Sequence, residues 1–267
     1  MNRKYTYIVL VLLVTTALFF LEKYVGRTSL NDYETVSVEP SGSSEFGNEY
    51  LPGSTTGVIV RHVHYALSYS EAHEQAEWVA YEIQKNHLSD NDFDRPYFIQ
   101  DDKVKSESAD WRNYKRSGYD RGHLCPAGAR RFSYNAYKET FLTSNISPQD
   151  HDFNSGIWNR LEQKVRRWAN EKDGVFVITG GVLKEGLKTI GTERVSVPEE
   201  FYKIVVDASG KEPRTIAFLI PNKSSSQSYF DYVVSIDEIE TVTGIDFLQG
   251  LPDSVEMKLE SQVETDF

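Results

Sequence analysis

Asp120-Arg121-Gly122-His123, followed by Asn145-Ile146-Ser147-Pro148-Gln149, Asn154 and Glu162, gathers an imidazole, a guanidinium, three side-chain amides and two carboxylates in one stretch of chain. Breaking a phosphodiester needs a water made nucleophilic, positive charge near the non-bridging oxygens, and stabilisation of the departing oxygen. His123 suits the first task, because an ordinary imidazole with a pKa of about 6.5 is mostly free to accept a proton at neutral pH. Arg121 offers a planar fork of donors matched to phosphate. Asn154 can give a neutral carbonyl oxygen to a hard divalent cation and leave the other positions to water. Gly122 permits a close approach that a side chain would block. Each residue also has a plainer reading: a structural histidine, Asn154 as a helix cap, Glu162 paired with Arg166 at i,i+4, Asn145 in a turn. The tetrapeptide alone is a weak signal, and the downstream set makes it specific.

The elements that must hold these residues follow from the periodicity. Ile157, Leu161, Val165 and Trp168 form an apolar stripe that predicts a helix from about Gly156 to Asn170, with Glu162 eight residues past Asn154 and leaning to the same side. Asn145, after Phe141-Leu142 and before Pro148, reads as the end of a strand. Val58–Val60, Val63–Leu67, Val175–Ile178, Phe201–Val206 and Thr215–Ile220 read as strands. Ser70 to His87, with Ala72, Ala76, Val79 and Ile83 as a stripe, reads as a helix, and Ile236 to Phe247 holds a short one. Strands and helices are interspersed over one core.

The 267 residues, 39% hydrophobic and 13% aromatic, suffice for a packed core. Cys125 is the only cysteine, which excludes an intramolecular disulfide and a thiolate-rich zinc site. It reads as a packing residue, with a catalytic thiolate served by His123 as the lesser alternative. The net charge of -11 argues against a polyanionic substrate until its distribution is considered. From Ser235 to Phe267 nine acids face Lys258 alone, whereas from Trp111 to Arg131 six basic residues face Asp120 alone. The basic stretch surrounds the motif, as a solvated face or as a footprint for phosphate.

Arg3 and Lys4 precede the uncharged run Tyr5–Leu21, which Glu22 and Lys23 close. Residues 1–26 therefore read as a signal anchor, or a signal peptide if cleaved; 27–56 as a flexible tether; 57–250 as the folded domain; and 251–267 as an acidic tail. This predicts a membrane-anchored, extracytoplasmic protein of a bacterial periplasm or cell surface, secreted if the segment is removed.

The residues around His123 resemble the DNA/RNA non-specific endonuclease family, the ββα-metal nucleases of the Serratia and endonuclease G type. The resemblance runs from His64 to Leu248 and is carried by Asp120–His123, Thr143–Gln149, Phe153-Asn154 and Trp158–Glu162. It implies an α+β fold with a central antiparallel sheet flanked by helices. It implies His123 as general base, Asn154 as the one protein ligand of Mg²⁺ (Mn²⁺ substituting), and Glu162 reaching the metal through water. Arg121 would support the motif or contact phosphate, and Asn145 would help place the histidine. Arg95, in Arg95-Pro-Tyr-Phe98-Ile-Gln-Asp101, fits a further family arginine. The implied reaction is hydrolysis of DNA and RNA to 5′-phosphate products, with magnesium stabilising the leaving 3′ oxygen. The implied partners are DNA and RNA as substrates, the membrane through the N-terminal helix, and a second copy in a homodimer. Leu124–Gly128 departs from more polar versions in some relatives. The alternatives are a nucleic-acid-binding protein without catalysis and a phosphodiesterase of small substrates.

Overall fold

The run Gln75–Gln84, carrying Trp78, Val79, Tyr81 and Ile83, forms the long central strand of the fold, not the helix expected over Ser70–His87. The cause is burial on both sides. Trp78 and Ala80 enter one apolar cluster while Val79, Tyr81 and Ile83 enter another, so the polar half of the alternation that would mark a strand is missing.

The computed structural model describes residues 15–16 and 48–267 of the chain. In chain order its strands are β1 (Ile59–Arg61), β2 (Ala66–Ser70), β3 (Gln75–Gln84), β4 (Asp120–His123), β5 (Ile146–Gln149), β6 (Gly174–Gly181), β7 (Thr189–Ile190), β8 (Val195–Ser196), β9 (Glu200–Asp207), β10 (Arg214–Pro221) and β11 (Val233–Val234). The described α-helices are α1 (Tyr134–Glu139), α2 (Asn159–Glu171), α3 (Ile236–Thr243) and α4 (Asp253–Ser261). Seven strands pair antiparallel in the order β1-β2-β3-β6-β9-β10-β11, and β4-β5 and β7-β8 form two small ladders. The expected strands at 175–178, 201–206 and 215–220 are β6, β9 and β10, and those near 58 and 63 are β1 and β2. The short helix expected within 236–247 is α3, which ends at Thr243 because Gly244 turns left-handed with φ 70° and caps it.

The large sheet separates two cores. On one face α2 packs Leu161, Val165, Trp168 and Ala169 against β3 and β6, together with Leu124 and Phe153 from the segments beside β4 and β5. On the other, Ile236 and Ile239 of α3 and Leu259 of α4 cover Trp78, Ile178 and Tyr202. A third cluster, with Phe98, Tyr114, Tyr137, Phe141 and Ile146, lies beneath the β4-β5 ladder. The α+β architecture, with strands β4 and β5 leading into α2, thus agrees with expectation. The chain divides into Met1–Ser44 and Glu45–Phe267; the fold above belongs to the second unit. Of the expected N-terminal anchor only Thr15-Thr16 lies within the described residues, and among those residues no helix is long and apolar enough to cross a membrane.

Candidate active site

Strand β4 is four residues long and lies against β5 with Asp120 opposite Gln149, Gly122 opposite Ser147 and His123 opposite Ile146. Gly122 is required by what crosses it: a Cβ there would collide with the Gln149 side chain, which is buried over the strand. Arg121 and His123 share one side of β4, as alternation dictates.

Asn145 is fully buried in a 3₁₀ turn (Thr143–Asn145) just before β5, at the entrance of the strand and not its end. Its Oδ1 accepts from the Cys125 amide at 2.8 Å, and its Nδ2 donates to the carbonyls of Cys125 at 3.0 Å and Thr140 at 2.9 Å. The Leu124 amide donates to its backbone carbonyl at 3.0 Å. One side chain therefore satisfies the backbone that leaves His123 and fixes the direction of that segment.

His123 packs edge-on to Phe141 with ring centroids 5.0 Å apart and lies 5.6 Å from Phe98. Its Nε2 is buried without a hydrogen-bond partner among the described residues. Burial, followed by the charges of Arg95 and Arg121, pushes its pKa down to about 3, so the imidazole is unprotonated at pH 7. The two arginines are held on aromatic faces. Arg121 lies 4.7 Å from the Phe98 ring, and Arg95 lies 5.6 Å from Phe98 and 5.5 Å from Phe141. Arg95, far from the motif in sequence, is thereby brought beside the histidine.

The chain after β5 is pinned at its start: the Asp150 side chain accepts from the amides of Asp152 and Phe153. A π-helical turn, Phe153–Trp158, then leads into α2, with Gly156 out of helical geometry. Such wide turns re-aim a side chain, and Asn154 sits within this one instead of capping the helix. Its Nδ2 donates to Asp120 Oδ2 at 3.0 Å. That bond settles which way the amide faces, leaving Oδ1 as the free acceptor. Glu162, in the first turn of α2, is raised in pKa by burial; Lys203 and Arg166 oppose the shift. Lys203 of β9 is fully buried, with Nζ 3.2 Å from Thr179 Oγ1 and 4.4 Å from the Trp158 ring.

Arg95, His123, Asn154, Glu162 and Arg166 line one cavity of about 290 Å³. Arg121 is not among its walls; it faces a neighbouring hollow with Trp111, Lys115 and Tyr119. The donor set fits a hard divalent cation: one amide oxygen turned free, one carboxylate, and no thiolate. Lys203 was missed from sequence, and Arg166 was read only as a surface partner of Glu162. The signals were an arginine one turn beyond Glu162 and a lone lysine inside the apolar run Phe201–Val206. Cys125 is buried, and burial pushes its thiol up to about 11, which removes it as a nucleophile. Of the basic stretch, Arg130 is structural, 1% exposed with Nη2 donating to the His64 carbonyl at 2.9 Å. Lys115, Arg116 and Lys188 instead line a hollow of about 650 Å³. Arg131, Arg166 and Arg167 line another of about 810 Å³ that shares Gly128, Arg131 and Arg166 with the central cavity.

The family model described as DNA/RNA non-specific endonuclease matches residues 42–254. The mitochondrial nuclease EXOG of Mus musculus is 35% identical over 271 residues, covering 94% of this chain and 72% of that protein. The mitochondrial nuclease of Saccharomyces cerevisiae is 30% identical, covering 85% and 75%. A crystal structure of the EndoG/EndoGI complex, concerned with EndoG inhibition, superposes with a TM-score of 0.67 at 31% identity, covering 73% of this chain and 86% of that one. The Mus musculus and Saccharomyces cerevisiae nucleases are named as mitochondrial, which overturns the membrane-anchored, extracytoplasmic location expected from the N-terminal run.

Proposed function

The chain belongs to the DNA/RNA non-specific endonuclease family and is a nuclease, and from that premise we propose that it hydrolyses internal phosphodiester bonds of both DNA and RNA, leaving 5′-phosphate ends, with His123 as the base. The observation that carries the reading is the His123 Nε2 atom, buried and without a hydrogen-bond partner among the described residues, in a cavity that also holds Asn154 and Glu162. A base kept unprotonated and without a competing hydrogen bond is poised to take a proton from water.

In this reading the water gives its proton to His123 as it attacks phosphorus in line with the departing 3′ oxygen. Arg95 meets the phosphate from the cavity wall, and Arg121 meets it or its neighbour from the adjoining hollow. Phe98 and Phe141 keep the guanidiniums and the imidazole in place without donating to them. Magnesium, or manganese in its stead, would be held by Asn154 Oδ1 with Glu162 beyond, and supplies positive charge to the phosphate and the departing oxygen. Asp120 positions the Asn154 amide, and Asn145 positions the segment after His123. The hollows that carry Lys115, Arg116 and Lys188 and Arg131, Arg166 and Arg167 suit flanking phosphates, contacts that carry no sequence information.

The test is the full chain with circular double-stranded DNA and with RNA, in Mg²⁺ or EDTA, beside His123→Ala. Both polymers should be cut in Mg²⁺ alone, and the variant should lose roughly 10²- to 10⁴-fold in rate. Full cleavage by the variant would remove His123 as the base. Intact polymers under every condition would leave a binding protein or an enzyme of small diesters.

A further inference from the structure

Five acids of the C-terminal third converge instead of spreading over a solvated surface. Asp237 and Glu240 stand three residues apart on one face of α3, Glu256 and Glu260 four apart on one face of α4, and Asp246 lies on the connection between the helices. Carboxylate oxygens of Asp237, Glu240 and Glu260 lie within 4.8 Å of one another, and so do those of Asp246, Glu256 and Glu260. Like charges at helical spacing destabilise a helix, and two such faces packed together add to the repulsion.

Glu260 marks the centre. It is 7% exposed, it belongs to both groups, and its Oε1 is buried with no hydrogen-bond partner among the described residues. Burial, then Glu240, Glu256, Asp237 and Asp246, push its carboxyl up to about 8. Each of those four neighbours is an acid. Lys258 on the same helix reaches Glu212 instead, at 2.7 Å. A buried carboxylate with acceptor capacity that no protein donor meets is costly, and a cation is the group that meets it.

We propose that the carboxylates around Glu260 form a calcium site that fastens α4 to α3. The donors are oxygens alone, which selects a hard cation. Ca²⁺ holds six to eight oxygens at roughly 2.3–2.6 Å, so two of its ligands stand up to about 5 Å apart, the spread seen here, whereas Mg²⁺ demands a tighter octahedron and keeps its water. The Phe247 amide donates to Glu240 Oε1 at 2.8 Å, which orients that carboxylate and leaves its second oxygen for the ion. The site is remote from His123: α3 and α4 cover the opposite face of the large sheet from α2. Its effect is therefore on the fold. The Leu259 carbonyl accepts from Thr215 Oγ1 at 3.1 Å, so fixing α4 also fixes the edge of β10.

The experiment uses the full chain carrying Asn154→Ala, which removes the ligand of the proposed catalytic metal, and reads CaCl₂ binding by calorimetry and thermal unfolding. One ion per chain should bind, and at a hundredfold excess over Kd the Tm should rise by roughly 5–10 °C, with MgCl₂ giving much less. Glu260→Gln, isosteric and checked for folding by circular dichroism, should abolish both signals. Asp237→Asn with Glu256→Gln, changes at less buried acids, should weaken binding at least about tenfold, the loss of two charged ligands. No heat and no Tm change in the Asn154→Ala protein, or a shift that persists in Glu260→Gln, would overturn the site.

Discussion

At the scale of single residues, the environment of His123 determines how the enzyme answers to acid. Burial, Arg95 and Arg121 all disfavour imidazolium, which brings the pKa to about 3. The acid limb of kcat/KM should therefore lie well below the ordinary histidine value of about 6.5. Removing a nearby positive charge raises the pKa, so Arg95→Gln should move that limb to higher pH. A limb at the ordinary value, unmoved in the variant, would contradict the placement. Asn145 gives a second test. Asn145→Ala leaves buried groups of Cys125 and Thr140 unpaired and should cost roughly 2–4 kcal/mol, measured by urea unfolding. The sequence made these residues legible by type, because a histidine, an amide and a carboxylate at motif spacing have few uses in common. It hid Lys203 and Arg166, because a charge on an apolar strand and a cation at i+4 have commoner explanations, and only the fold shows which way each faces.

At the scale of elements, a glycine and a glutamine set how closely β4 approaches β5. Gly122→Ala should destabilise the protein by about 1–3 kcal/mol through overpacking against Gln149. In a Gln149→Ala background the same change should cost much less, and equal costs in the double-mutant cycle would show that the two do not meet. His62 ties Asp101 to the end of α1: its Nε2 lies 2.8 Å from Asp101 Oδ2 and its Nδ1 lies 3.6 Å from Glu139 Oε1. Burial lowers the His62 pKa, but its hydrogen bonds to the two acids outweigh that and leave it raised. Burial likewise raises Asp101 and Glu139, and their hydrogen bonds leave both lowered. The stability due to His62 is then fully present below about pH 6.5 and lost as pH rises through its raised folded value; that due to the acids is present above about pH 4.5 and lost as pH falls through theirs. His62→Gln should thus lower the Tm more at pH 5.5 than at pH 9, and an equal loss at both would exclude the charged pair. The helix α2 and strands β6, β9 and β10 could be read in advance because their stripes or runs are bounded by turn residues. Strand β3 could not, since a strand buried on both faces and a helix buried on one can share apolar positions at i, i+3 and i+7.

At the scale of the molecule, a net charge of -11 coexists with one hollow that carries Lys115, Arg116 and Lys188 and another that carries Arg131, Arg166 and Arg167. Binding should therefore weaken steeply with salt. With Lys115 and Lys188 both changed to Ala, the slope of log affinity against log salt should fall by roughly one per lysine, read in EDTA with a labelled oligonucleotide. An unchanged slope would leave those lysines outside the path of the strand. Composition alone concealed this, because the C-terminal acids outweigh the basic stretch although most of them lie on α3, α4 and their connection, over the other face of the sheet. Cys125 bears on the whole molecule in another way. It is the only thiol in the chain, fully buried two residues beyond His123 and bonded through its backbone to Asn145. An alkylating reagent can meet it only when the structure around the histidine opens, so the rate of labelling counts those openings. The protein thus carries its own clock for excursions of its catalytic segment, to be read in native buffer without engineering a new thiol.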